Sequence, residues 1–242
     1  MIRTGWFLLN LLIWTTFFAT VAIGAGLLGV KPKPRGVYDW CAGGWSRKML
    51  WAAGVRPTLV GGERVPTDTP VVYVSNHQSW FDIWVLFSLL PGQVRFVAKK
   101  ELRRTPLLGR AMYAARHIFI DRGNRQAAFA AYDEAARTIG EGLSPVVFAE
   151  GTRSRTGQLQ PFKKGPFVLA IAAQVPVVPV YCAGTFTLLP KGSVRIRPHP
   201  VTVYVGEPIA TAGMTYEDRT ALMEAAWDAV ARLRVDATAG RD

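Results

Sequence analysis

The chain has 242 residues, half of them hydrophobic, and carries 29 Lys and Arg against 17 Asp and Glu, a formal charge of +12. That length holds one α/β domain with a sizeable core plus an appendage, and is short for two full domains. The cations are scattered rather than gathered into blocks and stand beside long apolar runs, which fits a membrane surface and argues against a nucleic-acid partner.

Residues 5–30, "GWFLLNLLIWTTFFATVAIGAGLLGV", carry no charge. Roughly 20 apolar residues span a bilayer as a helix, whereas secretory h-regions run to only about 7–15, so an uncleaved membrane helix or helical hairpin is expected here. "GAGLLG" (24–29) fits a dinucleotide-binding pattern, but "KPKPR" follows at once and its two prolines forbid the helix that pattern needs. Lys31, Lys33 and Arg35, then Arg47, Lys48 and Arg56, face a single Asp39, an excess that marks this side of the membrane as cytoplasmic. Trp40, Trp45 and Trp51 interleave with Arg47 and Lys48, a mixture typical of the headgroup level.

From there the chain alternates. A buried strand is expected over 70–76 and a helix over 79–90, stopped by Pro91-Gly92. Strands follow at 94–99 and 118–122. Asn124 is placed to cap a helix carrying Phe129, Ala136 and Ile139 on one face. A strand at 145–150 precedes a short helix opened by Gly165-Pro166, then a strand within 175–185. "VRIRP" (194–198) and residues 201–209 read as paired strands near an edge. Thr215 and Asp218 resemble a capping box for a last helix over 216–235. Alternation of this kind implies an α/β fold, a mixed, largely parallel sheet flanked by helices.

His77 and Asp82 stand five apart in "YVSNHQSWFDIW". On one regular helix they would lie about 140° round from each other. The spacing works if His77 is in the loop after the strand and Asp82 is in the first or second turn of the helix. Asp82 then fixes one ring nitrogen, and the other is free to take a proton from a substrate hydroxyl. Free N–H groups at the helix start would suit an oxyanion. By itself the pair also reads as a satisfied core or capping histidine, or as part of a Ser–His–Asp hydrolase using Ser75 or Ser79, although no G-x-S-x-G elbow occurs. His117 and His199 are isolated, Cys41 and Cys182 match no ligand or redox spacing, and so no metal is expected and a reducing compartment is the simplest reading. In "FAEGTRS" (148–154), Gly151 permits close backbone approach, Arg153 can fork onto a phosphate, Thr152 and Ser154 add hydroxyls, and Glu150 can bind a hydroxyl or orient Arg153. Arg122 in "FIDRGN" and Lys99-Lys100 after "VRFVA" each read alone as surface cations.

Taken in order, "NHQSWFD", "AKKEL", "HIFIDR", "FAEGTRS" and "VPVVPV" resemble the glycerolipid acyltransferases, and among them the bacterial 1-acyl-glycerol-3-phosphate acyltransferases. The resemblance runs from about residue 73 to 180, and each block is weak alone. It implies transfer of a fatty acyl group from acyl-CoA or acyl-carrier protein to the free hydroxyl of lysophosphatidate, with no cofactor and no covalent acyl-enzyme. It implies His77 as general base, Asp82 as its orienter, and Glu150, Gly151, Thr152 and Arg153 around the glycerol phosphate, helped by Arg122 and Lys100. It implies anchoring helices over 1–60 and a catalytic domain over 61–242, on the cytoplasmic face of the inner membrane. Another lysolipid, such as a lyso-ornithine lipid, or glycerol 3-phosphate remains an alternative acceptor, and a non-catalytic lipid-binding module an alternative class. Where the family usually has Pro, this chain has Ala149.

Overall fold

The computed structural model describes residues 2–121, 132 and 135–239. Helix α1 (Ile2–Leu27) turns back into α2 (Val37–Ala53). The hairpin is fastened by Tyr38 Oη donating to Val30 O at 2.8 Å and Trp45 Nε1 donating to Thr15 Oγ1 at 3.0 Å. Gly44 permits the close approach, because a Cβ there would meet the Phe18 ring at 2.7 Å. By length and composition α1 is able to cross a membrane. It is two-faced. Phe7, Ala19, Ala22 and Ala25 are buried, while Leu8, Leu9, Leu12 and Ile13 are each about half exposed or more.

The remaining elements are β1 (Thr58–Val60), β2 (Val72–Ser75), α3 (Phe81–Leu89), β3 (Gln93–Lys99), α4 (Leu108–Ala114) and β4 (Ile118–Ile120). After them come α5, described at 132 and 135–140, β5 (Leu143–Phe148), α6 (Gly165–Ala173) and β6 (Val177–Ala183). The chain ends with α7 (Thr185–Leu188), β7 (Thr202–Val205) and α8 (Arg219–Ala239). The strands form one seven-stranded sheet, β1-β7-β6-β2-β5-β3-β4, parallel throughout except for β6 against β7. This is the mixed, largely parallel sheet that the alternation implied.

The inner strands are apolar on both faces because both faces are covered. Along β2, Tyr73 packs with α1, α2 and α3 through Phe7, Met49 and Phe81, while Val72 and Val74 pack with α5, α6 and α8 through Ile139, Leu169 and Ala226. The hairpin therefore shares a core with the sheet. A buried ion pair adds to the join, with Arg95 Nη1 of β3 donating to Asp39 Oδ1 of α2 at 2.8 Å.

One sequence expectation needs correction. Residues 194–198 form no strand, so β7 has no partner there, although it does lie near an edge of the sheet. Pro198 and Pro200 remove donors from this stretch, and Arg197 N–H donates instead to Leu188 O at the end of α7. β7 lies between β6 and the edge strand β1, a three-residue segment that gives little sequence signal. Asn124 and Phe129 lie outside the described residues. The Thr215–Asp218 capping box is present and leads through a 3-10 turn into α8.

Candidate active site

The parallel strands β2, β5 and β6 bring their carboxyl ends to one edge, where open α/β sheets bind ligands. Asn76 sets how β2 leaves the sheet. Its amide is fully buried, donates to Cys182 O at 3.1 Å and accepts from Cys182 N–H at 2.8 Å. Having used this side chain to close onto β6, the chain turns outward at His77 and re-enters as α3. Asp82 lies in the first turn of α3 and reaches back over the loop. Its Oδ2 takes hydrogen bonds from Gln78 N–H at 2.7 Å and Ser79 N–H at 2.9 Å and lies 2.7 Å from His77 Nδ1. These two N–H groups just before α3 are thus taken by the fully buried Asp82 carboxylate rather than left for an oxyanion.

The His77 ring stacks on Phe148 at the end of β5, with centroids 3.8 Å apart and planes 8° from parallel. Carboxylate and ring face together lock the imidazole. Its Nε2 has no partner among the described residues, and the side chain keeps 14% of its surface exposed. Asp82 Oδ1 is buried without a hydrogen bond, so the negative charge is poorly solvated and acts strongly on the neighbouring imidazole. Ser75 Oγ donates to Asn76 O and Ser79 Oγ to Leu189 O. Neither hydroxyl bonds to His77, so the hydrolase constellation is not formed.

Past Phe148, Ala149 N–H donates to Ser75 O at 3.2 Å, a bond proline cannot make. Replacing the family's usual proline thus lets β2 hold the start of the motif loop by one more bond. Glu150 is 3% exposed. Its Oε1 accepts His77 N–H at 3.2 Å and its Oε2 accepts Gln160 Nε2 at 2.8 Å. Burial pushes its carboxyl up to about 7, against the pull of those hydrogen bonds. It forms no ion pair with Arg153; it supports the His77 backbone from below. Gly151 has φ +74°, which favours glycine, and its N–H donates to Phe148 O. The turn that follows carries Thr152, exposed, and Arg153, whose guanidinium lies over the Trp80 ring at 4.6 Å. Partial burial lowers the Arg153 pKa, with the charge of Asp82 opposing. Ser154 N–H donates to His77 O at 2.7 Å, closing the two motifs onto each other.

His77, Asp82, Glu150, Gly151, Thr152 and Arg153 thus form one cluster. Lys100 does not join it. It lies beyond the end of β3, past β5, where it is exposed and ion-paired with Asp121. Arg122 lies outside the described residues. Several residues escaped the sequence reading: Asn76, Gln160, Trp80 as a platform for Arg153, and Lys191, whose Nζ donates to Thr152 Oγ1 at 3.0 Å and Arg153 O at 3.1 Å. Only Asn76 and Trp80 stood inside a quoted motif. Beside Glu150 a cavity of about 810 Å³ has Val147, Ala149 and Val168 among its walls, with Lys163, Lys164 and Arg219. Among the described residues no cluster of His, Cys, Asp or Glu could hold a metal ion.

Comparison with known proteins agrees with this geometry. The family description Acyltransferase matches residues 56–183. A 1-acyl-sn-glycerol-3-phosphate acyltransferase of Cocos nucifera is 40% identical over 166 residues, covering 68% of this chain and 53% of its own length. The human protein named 1-acyl-sn-glycerol-3-phosphate acyltransferase alpha is 37% identical over 172 residues, 71% of this chain and 61% of its own. The chain therefore spans between about half and three fifths of the length of these curated relatives. The crystal structure of the 1-acyl-sn-glycerophosphate (LPA) acyltransferase PlsC from Thermotoga maritima superposes with a TM-score of 0.72 at 28% identity, over 96% of this chain and 98% of that one. A polar loop held between β2 and α3, a Gly-Thr-Arg turn closing on it, and these matches all agree: the chain belongs to the acyltransferase family.

Proposed function

We propose that the chain moves a fatty acyl group from a thioester donor, acyl-CoA or acyl-carrier protein, to the free hydroxyl of lysophosphatidate, forming phosphatidate. The observation that carries this is the His77 ring, held at Nδ1 by Asp82 at 2.7 Å with Nε2 unengaged. Nε2 removes the hydroxyl proton as the oxygen attacks the thioester carbonyl. Asp82 stabilises the imidazolium, and the thiolate leaves as the C–S bond breaks, taking up the proton His77 holds. No acyl-enzyme is needed, because a thioester is already activated and the hydroxyls of Ser75 and Ser79 are committed elsewhere.

Gly151, Thr152 and Arg153 surround the glycerol phosphate. Arg153 is the natural phosphate ligand, since it has no carboxylate partner among the described residues and is held over the Trp80 ring. Glu150 acts through the His77 backbone, and Arg122 remains a further phosphate contact on the strength of the motif. The cavity beside Glu150, with apolar walls and three cations, suits a thioester chain borne by a phosphorylated carrier. The outward face of α1, with Leu8, Leu9, Leu12 and Ile13, lies in the lipid of the inner membrane while its other face stays on the domain, and the positive surface meets anionic lipid from the cytoplasmic side.

The test is His77→Ala in the purified full chain, assayed with labelled acyl donor and lysophosphatidate in mixed micelles. Turnover is expected to fall by about 10²–10⁴-fold or more with the thermal midpoint little changed. Near-normal turnover overturns the mechanism.

A further inference from the structure

Lys191 belongs to none of the motif blocks, yet it closes the rim of the site. Its segment is pinned on two sides. Leu189 O accepts the Ser79 hydroxyl at 2.8 Å, which ties the segment to the His77–Asp82 loop. Lys191 Nζ donates to Thr152 Oγ1 at 3.0 Å and to Arg153 O at 3.1 Å, which ties it to the Gly-Thr-Arg turn. An ammonium has three donors, and these contacts use two. The third has no partner among the described residues, and neither has the Thr152 hydroxyl as a donor or the Arg153 guanidinium as a hydrogen-bonding group.

The charges matter as well as the donors. Neither Lys191 nor Arg153 has a carboxylate within 4 Å among the described residues. Two cations meet at one turn, Arg153 within it and Lys191 hydrogen-bonded to it, each with unspent donors and no carboxylate within 4 Å among the described residues. Such a pair suits a ligand bearing two negative charges better than one bearing a single charge. A terminal phosphomonoester is a dianion near neutral pH, whereas a phosphodiester headgroup carries one phosphate charge.

We infer that Lys191 is a specificity-determining residue which, together with Arg153 and Thr152, selects acceptors with a terminal phosphomonoester over phosphodiester lysolipids. This rests on the acyl-transfer reading and concerns the acceptor side of that same site.

The test compares wild type, Lys191→Met and Lys191→Arg in mixed micelles, with lysophosphatidate and lysophosphatidylglycerol as acceptors. Lys191→Met is expected to raise KM for lysophosphatidate at least tenfold and to lower the preference for it over lysophosphatidylglycerol by a similar factor. Lys191→Arg is expected to restore most of that preference. Inhibition of wild type by sn-glycerol 3-phosphate is expected to weaken in Lys191→Met in parallel. Equal losses with both acceptors would mean that Lys191 only braces the turn, and an unchanged preference would mean that it does not meet the phosphate; either result overturns the inference. Failure of wild type to acylate lysophosphatidate at all would instead overturn the acyl-transfer reading.

Discussion

His77 and His117 sit at the two ends of one row of rings, His77–Phe148–Phe96–His117, with neighbouring centroids 3.8, 5.5 and 6.5 Å apart. The same side chain is put to opposite uses. His77 stands at the carboxyl edge of the sheet with a carboxylate on Nδ1 and an unengaged Nε2. His117 accepts Phe96 N–H at Nδ1 and faces the guanidinium of Arg95. Burial, with Arg95 adding to it, pushes His117 down to about 3, so it stays neutral. Both rings stack on phenylalanine, so stacking does not separate them. What separates them is the sign of the neighbouring charge and access to solvent.

Substituting the charge partner tests this contrast most strongly. Asp82→Asn keeps an oxygen for the loop N–H groups but removes the charge that stabilises the imidazolium, so kcat is expected to fall by about 10²–10⁴-fold, read in the micelle assay. A loss under tenfold would make Asp82 a structural clamp only.

The next effect is on stability. His117 should bind a proton readily when unfolded, near 6.5, but only near 3 when folded. The unfolded chain therefore binds more protons across that window. Stability is lost as pH falls below 6.5, by up to about 1.4 kcal/mol per unit from this group. His117→Gln, whose amide oxygen can still accept Phe96 N–H, is expected to flatten that slope in detergent-solubilised unfolding while acyl transfer continues. An unchanged slope would mean that His117 is not held neutral.

Glu150 is expected to act in the opposite direction over a narrower window. Its folded value of about 7 lies above the ordinary 4.5, so the folded chain holds the extra proton. That contribution is fully present below 4.5 and is lost as pH rises to about 7, again by up to about 1.4 kcal/mol per unit. Between 4.5 and 6.5 the two groups oppose each other. Glu150→Gln is expected to make stability climb more steeply with pH there than in wild type, and parallel curves would exclude a buried neutral Glu150.

Much of the site was legible because its chemistry is local. The five-residue spacing of His77 and Asp82 allows contact only across a strand-to-helix junction, and the pair meets there. Gly151 stood out in the sequence as a place for close backbone approach, and in the structure it also takes a positive φ of +74°. The Asn76–Cys182 clip joins residues 106 apart and the Lys191–Thr152 bond residues 39 apart, and neither leaves a pattern in the intervening chain. Lys100 is the reverse case. It stands in a motif block, yet β5 lies between its strand and β2, and Asp121 takes its charge.

The sequence by itself determined the class of fold and that His77 and Asp82 could meet across a strand-to-helix junction, because strand and helix periodicity, together with short spacings across a turn, are set by local backbone geometry. It also determined that an apolar N-terminal helix must find a non-aqueous surface. Only the tertiary structure decided that this helix keeps one face on the α/β core, that Glu150 supports the His77 backbone, and that a lysine from beyond β6 joins the Gly-Thr-Arg turn. Those outcomes depend on which strands lie side by side and which buried polar groups must find partners, and both are settled only when the whole sheet closes.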